Sequence, residues 1–103
     1  MPFEALRRMG RSRAVLHSVN MLLMYYVYLL RSLKDPSKTY VGYTTNLEHR
    51  LENHNSGGSI HTKLDRPWKL VVYLVFDTEE KARSFERYIK VGSGHAFAKK
   101  RFW

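Results

Sequence analysis

A chain of 103 residues with 44% apolar and 14% aromatic side chains has the length of one domain with a modest core. It is too short for a separate recognition domain beside that core. The 18 Lys and Arg against 9 Asp and Glu leave a net charge of +9, which attracts polyanions and makes nucleic acid the leading partner ahead of an anionic membrane. The absence of cysteine excludes disulfide staples, thiolate nucleophiles and Cys-bound zinc, and suits a reducing cytoplasm.

Residues 1–23 are set apart by Arg7, Arg8, Arg11 and Arg13 and by weak periodicity. They are read as an N-terminal extension, either a mis-assigned start upstream of Met21 or Met24, or a basic arm that folds on nucleic acid. The apolar stretch from Ala14 to Leu30 is interrupted by His17, Ser18, Asn20 and three tyrosines. It has no small-residue cleavage site and is short for a bilayer span, so no signal peptide or membrane segment is expected.

Residues 24–103 are expected to form the domain. The run from Tyr25 to Leu30 is aromatic, β-branched and uninterrupted, as in a strand buried on both faces. Asp35-Pro36-Ser37-Lys38 carries turn chemistry, and Thr39 to Tyr43 reads as the returning, antiparallel strand. Thr45 with Glu48 makes a capping box for a first helix, in which Leu47, Leu51 and His54 recur until Ser56-Gly57-Gly58.

A basic loop then runs from Ser59 to Trp68, and Leu70 to Phe76 predicts a third strand. Asp77 with Glu80 opens a second helix, whose buried stripe is Ala82, Phe85 and Ile89 and which Gly92 ends. His95 to Trp103 is expected to pack a last helical turn or two against the sheet through Phe97 and Phe102. The order predicts an α/β fold, a small three-stranded antiparallel or mixed sheet flanked by helices.

Several polar side chains fall where burial should discourage them. Glu86 lies between Ala82 and Ile89 on the apolar side of the second helix, where a carboxylate needs either an arginine partner or a cation. Arg50 and His54, four residues apart, share one side of the first helix. They form either a solvated flank or a pair aimed at one ligand. Tyr28 and Tyr40 lie on adjacent strands, as core or as a pair of hydroxyls meeting on one face. His49 and His54 are five apart and face different ways, so a zinc site is not expected.

Taken together, these residues resemble the GIY-YIG nuclease superfamily. Tyr26-Val27-Tyr28 followed about ten residues later by Tyr40-Val41-Gly42 is similar to the family's paired signature, with Val41 in place of Ile and Tyr26 in place of the first glycine. Arg50, His54 and Glu86 follow in the family's order, and the resemblance spans Met24 to Trp103. It is strongest for small free-standing bacterial members. No asparagine occurs between Val91 and Trp103, where some members carry one. That departure bears on activity more than on fold.

The resemblance implies a metal-dependent endonuclease that hydrolyses phosphodiester bonds with low sequence specificity, in DNA rather than RNA, with DNA repair as one setting. Glu86 would hold Mg²⁺ or Mn²⁺ and Arg50 would bind the scissile phosphate. Tyr28 is the first choice, ahead of Tyr40, to align or deprotonate the water, with His54 assisting. Lys63, Arg66 and Lys69 in the loop, and Lys99, Lys100 and Arg101 at the end, would contact backbone phosphates beside the site. Trp68 could stack a base but reads better as core. A monomer suffices to cut one strand, and cutting both would need a dimer or two encounters. The alternatives are a non-catalytic nucleic-acid-binding module with the same fold, or an interaction domain whose basic face meets an acidic protein.

Overall fold

A computed structural model describes residues 23–103. The expectations for the first 22 residues, including the extension and the start of the apolar stretch, lie outside the described residues. Strand β1 (Tyr25–Ser32) is buried almost throughout. It is the centre of a three-stranded antiparallel sheet in the order β2-β1-β3, between β2 (Thr39–Thr44) and β3 (Trp68–Phe76). A strand flanked on both edges and covered on both faces has no solvent side, which accounts for its continuous apolar run.

The pleat divides the core. Tyr26, Tyr28 and Leu30 point to one face, where Leu47, Leu51 and Trp68 pack on them. Val27 and Leu29 point to the other, against Ala82, Phe85, Phe102 and Trp103. Helix α1 (Leu47–Ser56) therefore covers the first face, and α2 (Glu79–Lys90) with α3 (Gly92–Arg101) the second. A 3₁₀ turn (Lys63–Asp65) lies in the loop between α1 and β3. Among the described residues no helix is long and apolar enough to cross a membrane.

Local boundaries differ from expectation in four places. Asn46, not Thr45, caps α1 by accepting from the His49 N–H, while Thr44 Oγ1 accepts from the Asn46 N–H and takes up the preceding turn. Thr78, not Asp77, caps α2 by accepting from the Lys81 N–H, because the Asp77 carboxylate is instead drawn to the Lys81 ammonium at 3.0 Å. β3 begins at Trp68, whose backbone pairs with Ser32 before the apolar run starts. Gly92 opens α3 rather than merely ending α2, and Phe97 stays 41% exposed, so the docking falls to Phe102 and Trp103. α1 stops at Ser56, where Gly57 adopts φ +88 and its N–H bonds back to the Asn53 carbonyl.

Candidate active site

The site begins with a missing side chain. Tyr28 is paired directly across from Gly42, and opposite residues of antiparallel strands project to the same face. Any Cβ on Gly42 would land on Cζ and Oη of Tyr28. Glycine therefore lets the tyrosine ring extend from the central strand over edge strand β2, which carries its hydroxyl to the sheet margin.

Tyr40 stands on the same face two residues before Gly42, with its ring 6.2 Å from that of Tyr28. α1 supplies the rest from above. The His54 ring contacts both tyrosines, at 5.6 Å and 5.0 Å between centroids. Its Nε2 lies 2.8 Å from Tyr28 Oη and its Nδ1 2.7 Å from Thr62 Oγ1. Arg50, one helical turn earlier, is half-buried against the two tyrosine hydroxyls.

His54 is thus no solvated flank: it and Tyr28 are both 0% exposed. Burial, reinforced by the Arg50 charge, holds the His54 pKa below its ordinary value and favours the neutral ring. Burial pushes Tyr28 up to about 12, against the pull of the adjacent Arg50 and with smaller upward pushes from Tyr40 and Glu86. A resting phenolate at neutral pH is therefore disfavoured, and Tyr40, only half-buried, is the tyrosine open to solvent. Arg50 in turn is raised, first by the Tyr28 hydroxyl.

Glu86 approaches from the opposite layer, since α2 lies across the other face against β1 and β2. Its side chain is 18% exposed and pairs with Lys90 at 3.1 Å, one turn on. The ion-pair alternative to a cation is met by this lysine and not by an arginine, because position 90 is the neighbour at helical spacing. The Glu86 charge is nevertheless felt at Tyr28, Tyr43 and Arg83. Arg83 lies over the Tyr43 ring at 4.2 Å and pairs with Glu79 at 2.9 Å. Periodicity did not single out that cation as a neighbour of the site.

Among the described residues no group of three or more His, Asp or Glu side chains could hold a metal ion. A hard cation such as Mg²⁺ needs only one or two carboxylates, with water and phosphate completing its shell. Glu86 fits that demand, with an exposed lysine to be displaced, whereas a protein-caged metal does not fit.

The structure divides the six expected phosphate-contacting residues. Lys63 opens the 3₁₀ turn next to α1 and Arg66 follows it, and Lys34 and Leu64 join them around a shallow pocket. Lys69 is exposed on β3 opposite Arg31. Lys99, Lys100 and Arg101 form the exposed last turn of α3, in the layer on the other side of the sheet. They do not line one groove with Lys63 and Arg66. Trp68 is buried, and its Nε1–H donates to the Thr62 carbonyl at 2.8 Å, as a core residue rather than a base-stacking platform.

Comparison with known proteins matches residues 24–99 to the family model described as GIY-YIG catalytic domain. A UPF0213 protein of Clostridium perfringens is 46% identical over 68 residues, covering 65% of this chain and 71% of that protein. The UPF0213 protein YsiG of Lactococcus lactis is 42% identical over 67 residues, 64% of this chain and 62% of that protein. The structure-specific endonuclease subunit SLX1 of Candida dubliniensis is 44% identical over 54 residues, 47% of this chain but only 19% of that subunit. The solution structure of a UPF0213 protein from Bacillus halodurans has 33% identity and a TM-score of 0.47, covering 75% of this chain and 81% of that one.

Proposed function

This chain belongs to the GIY-YIG catalytic domain family, a nuclease family, and on that premise we propose that it is a divalent-metal-dependent endonuclease that hydrolyses phosphodiester bonds, in DNA rather than RNA. One observation carries the reading. Tyr28, Tyr40, Arg50 and His54, drawn from two strands and a helix, meet on one side of the sheet margin, with the charge of Glu86 within reach of Tyr28.

Arg50 would bind the scissile phosphate, and its fixed positive charge would offset the charge that grows on the phosphate oxygens. Glu86 would hold Mg²⁺ or Mn²⁺, which when bound polarises the phosphate and stabilises the leaving oxygen. Tyr40, half-buried, would align the attacking water, whereas Tyr28, fully enclosed beneath Arg50 and backed by His54, would act from behind it. The exposed cations on both layers would attract the backbone without reading bases, so sequence specificity should be low.

The test is incubation of the full chain with supercoiled plasmid, branched DNA and structured RNA, with and without Mg²⁺ or Mn²⁺. Metal-dependent nicking of DNA supports the proposal. Salt-sensitive binding without cleavage under any metal condition would leave a binding module instead.

A further inference from the structure

We propose that Arg83 is a second phosphate-binding residue of this site: from the α2 side of β2 it seats a backbone phosphate next to the scissile one assigned to Arg50. The inference rests on the nuclease reading and deepens it, by carrying the substrate's path from one layer of the sheet to the other.

Among the described residues β2 is an edge strand, and successive residues on it point to opposite faces. Tyr40 belongs to the face where Arg50 stands against the tyrosine hydroxyls. Tyr43 belongs to the other, packed with Val27, Leu29 and Ala82 beneath α2. Arg83 stands over Tyr43, with its guanidinium carbon 4.2 Å from the ring centroid. The two arginines therefore lie on opposite sides of the strand that ends the sheet.

The same side of α2 carries the proposed metal ligand. Glu79, Arg83, Glu86 and Lys90 recur at spacings of four, three and four, which lines them up on one stripe of the helix. Glu79 and Arg83 pair at 2.9 Å, and Glu86 and Lys90 at 3.1 Å. Alternating charges at such spacing are common on a solvated helix face, and they alone would give Arg83 no role. Two features set it apart. The Tyr43 ring holds the guanidinium from the sheet side, and Glu79 engages only its Nε. The two Nη groups have no hydrogen-bond partner among the described residues. They form a planar fork of N–H donors, the geometry that takes two phosphate oxygens at once.

A strand whose scissile phosphate sits at Arg50 carries further phosphates past this margin, one for about every 3.4 Å of duplex axis. Arg83 is the cation held there, one helical turn before Glu86, whose charge it feels. The contact it offers does not change as the scissile bond breaks. It adds to affinity in the ground state and the transition state alike, so its loss should appear in binding and KM rather than in kcat.

Binding of fluorescein-labelled duplex to the full chain, followed by anisotropy in EDTA over a series of salt concentrations, tests the assignment without relying on cleavage. Arg83→Gln should weaken binding about tenfold at low salt. It should also make the slope of log affinity against log salt shallower by about 0.9, the value of one phosphate contact on duplex. In the nicking assay the same variant should raise KM and leave kcat within about threefold. Two variants serve as controls. Lys81→Gln removes a cation of a like pair, with Asp77 at 3.0 Å, from the opposite side of α2, and Glu79→Gln removes the partner of Arg83. Both should keep the wild-type slope. An unchanged slope in Arg83→Gln, or a loss confined to kcat, would overturn the assignment. An equal loss of slope in Lys81→Gln would overturn it in favour of net charge, and an equal loss in Glu79→Gln in favour of the ion pair. A wild-type chain without salt-dependent binding would refute the nucleic-acid reading itself, and the role of Arg83 with it.

Discussion

Replacing Glu86 by Gln separates a structural carboxylate from a metal-binding one. The swap keeps shape and hydrogen-bonding atoms and removes only the charge, so its effect on stability is set by the ion pair with Lys90. That pair spans 3.1 Å within α2, with side chains 47% and 18% exposed. Such i,i+4 pairs contribute about 0.3–0.5 kcal/mol. At 4–8 °C per kcal/mol for a domain of this size, Tm should fall by roughly 1–4 °C. A deeply buried pair would be a different case, costing about 3–5 kcal/mol, or well over 10 °C. Loss of the charge a hard cation requires should lower cleavage at least ~100-fold, the scale on which single electrostatic contributions to a transition state are measured. Thermal unfolding, fluorescence anisotropy on labelled duplex and Mg²⁺-dependent nicking on the same preparation give all three readings. The expected pattern is a small Tm shift, near-normal binding and no nicking. Nicking at the wild-type rate, or a Tm lowered by more than about 10 °C, would refute the assignment of Glu86.

Two further outcomes follow from the tyrosine pocket. Gly42→Ala places a methyl on Cζ and Oη of Tyr28, so the ring end must shift and the contact to His54 must lengthen. Overpacking of this kind costs about 1–3 kcal/mol, and nicking should fall at least about tenfold while duplex binding persists, as gel shift and nicking assays on one sample will show. The depressed pKa of His54 gives a pH dependence of stability. Above the unfolded value of about 6.5 both states are neutral and nothing is lost. As pH falls below it, the unfolded chain takes up the proton first, so stability declines down to the folded pKa. Melting curves between pH 7.5 and 5 should show that decline, and His54→Gln should flatten it.

Much of the layout is local and was readable from residue order. Tyr25 to Leu30 reads as a doubly covered strand because an unbroken apolar run admits no solvent face, and Ala82, Phe85 and Ile89 mark the inner side of α2 because 3.6-residue spacing does. The same logic singled out Glu86 on the apolar side of α2, Arg50 and His54 on one side of α1 and Tyr28 and Tyr40 on adjacent strands, each with a structural alternative, and the family resemblance joined them into one site. Contacts between segments distant in the chain are not encoded in any local pattern, and these decided how the site works. Thr62 carries no motif, and its hydroxyl meets the imidazole only because a loop anchored by Trp68 and Asn55 sets it 2.7 Å from His54 on α1. Tyr28, the first choice for the water from residue order, is enclosed beneath Arg50, and that burial pushes its pKa up to about 12. The C-terminal cations seemed neighbours of the loop cations until α3 folded onto the far layer of the sheet. Periodicity determines which face of a strand or helix is buried, whereas exposure, hydrogen-bond partners and pKa depend on what arrives from elsewhere in the chain to cover that face.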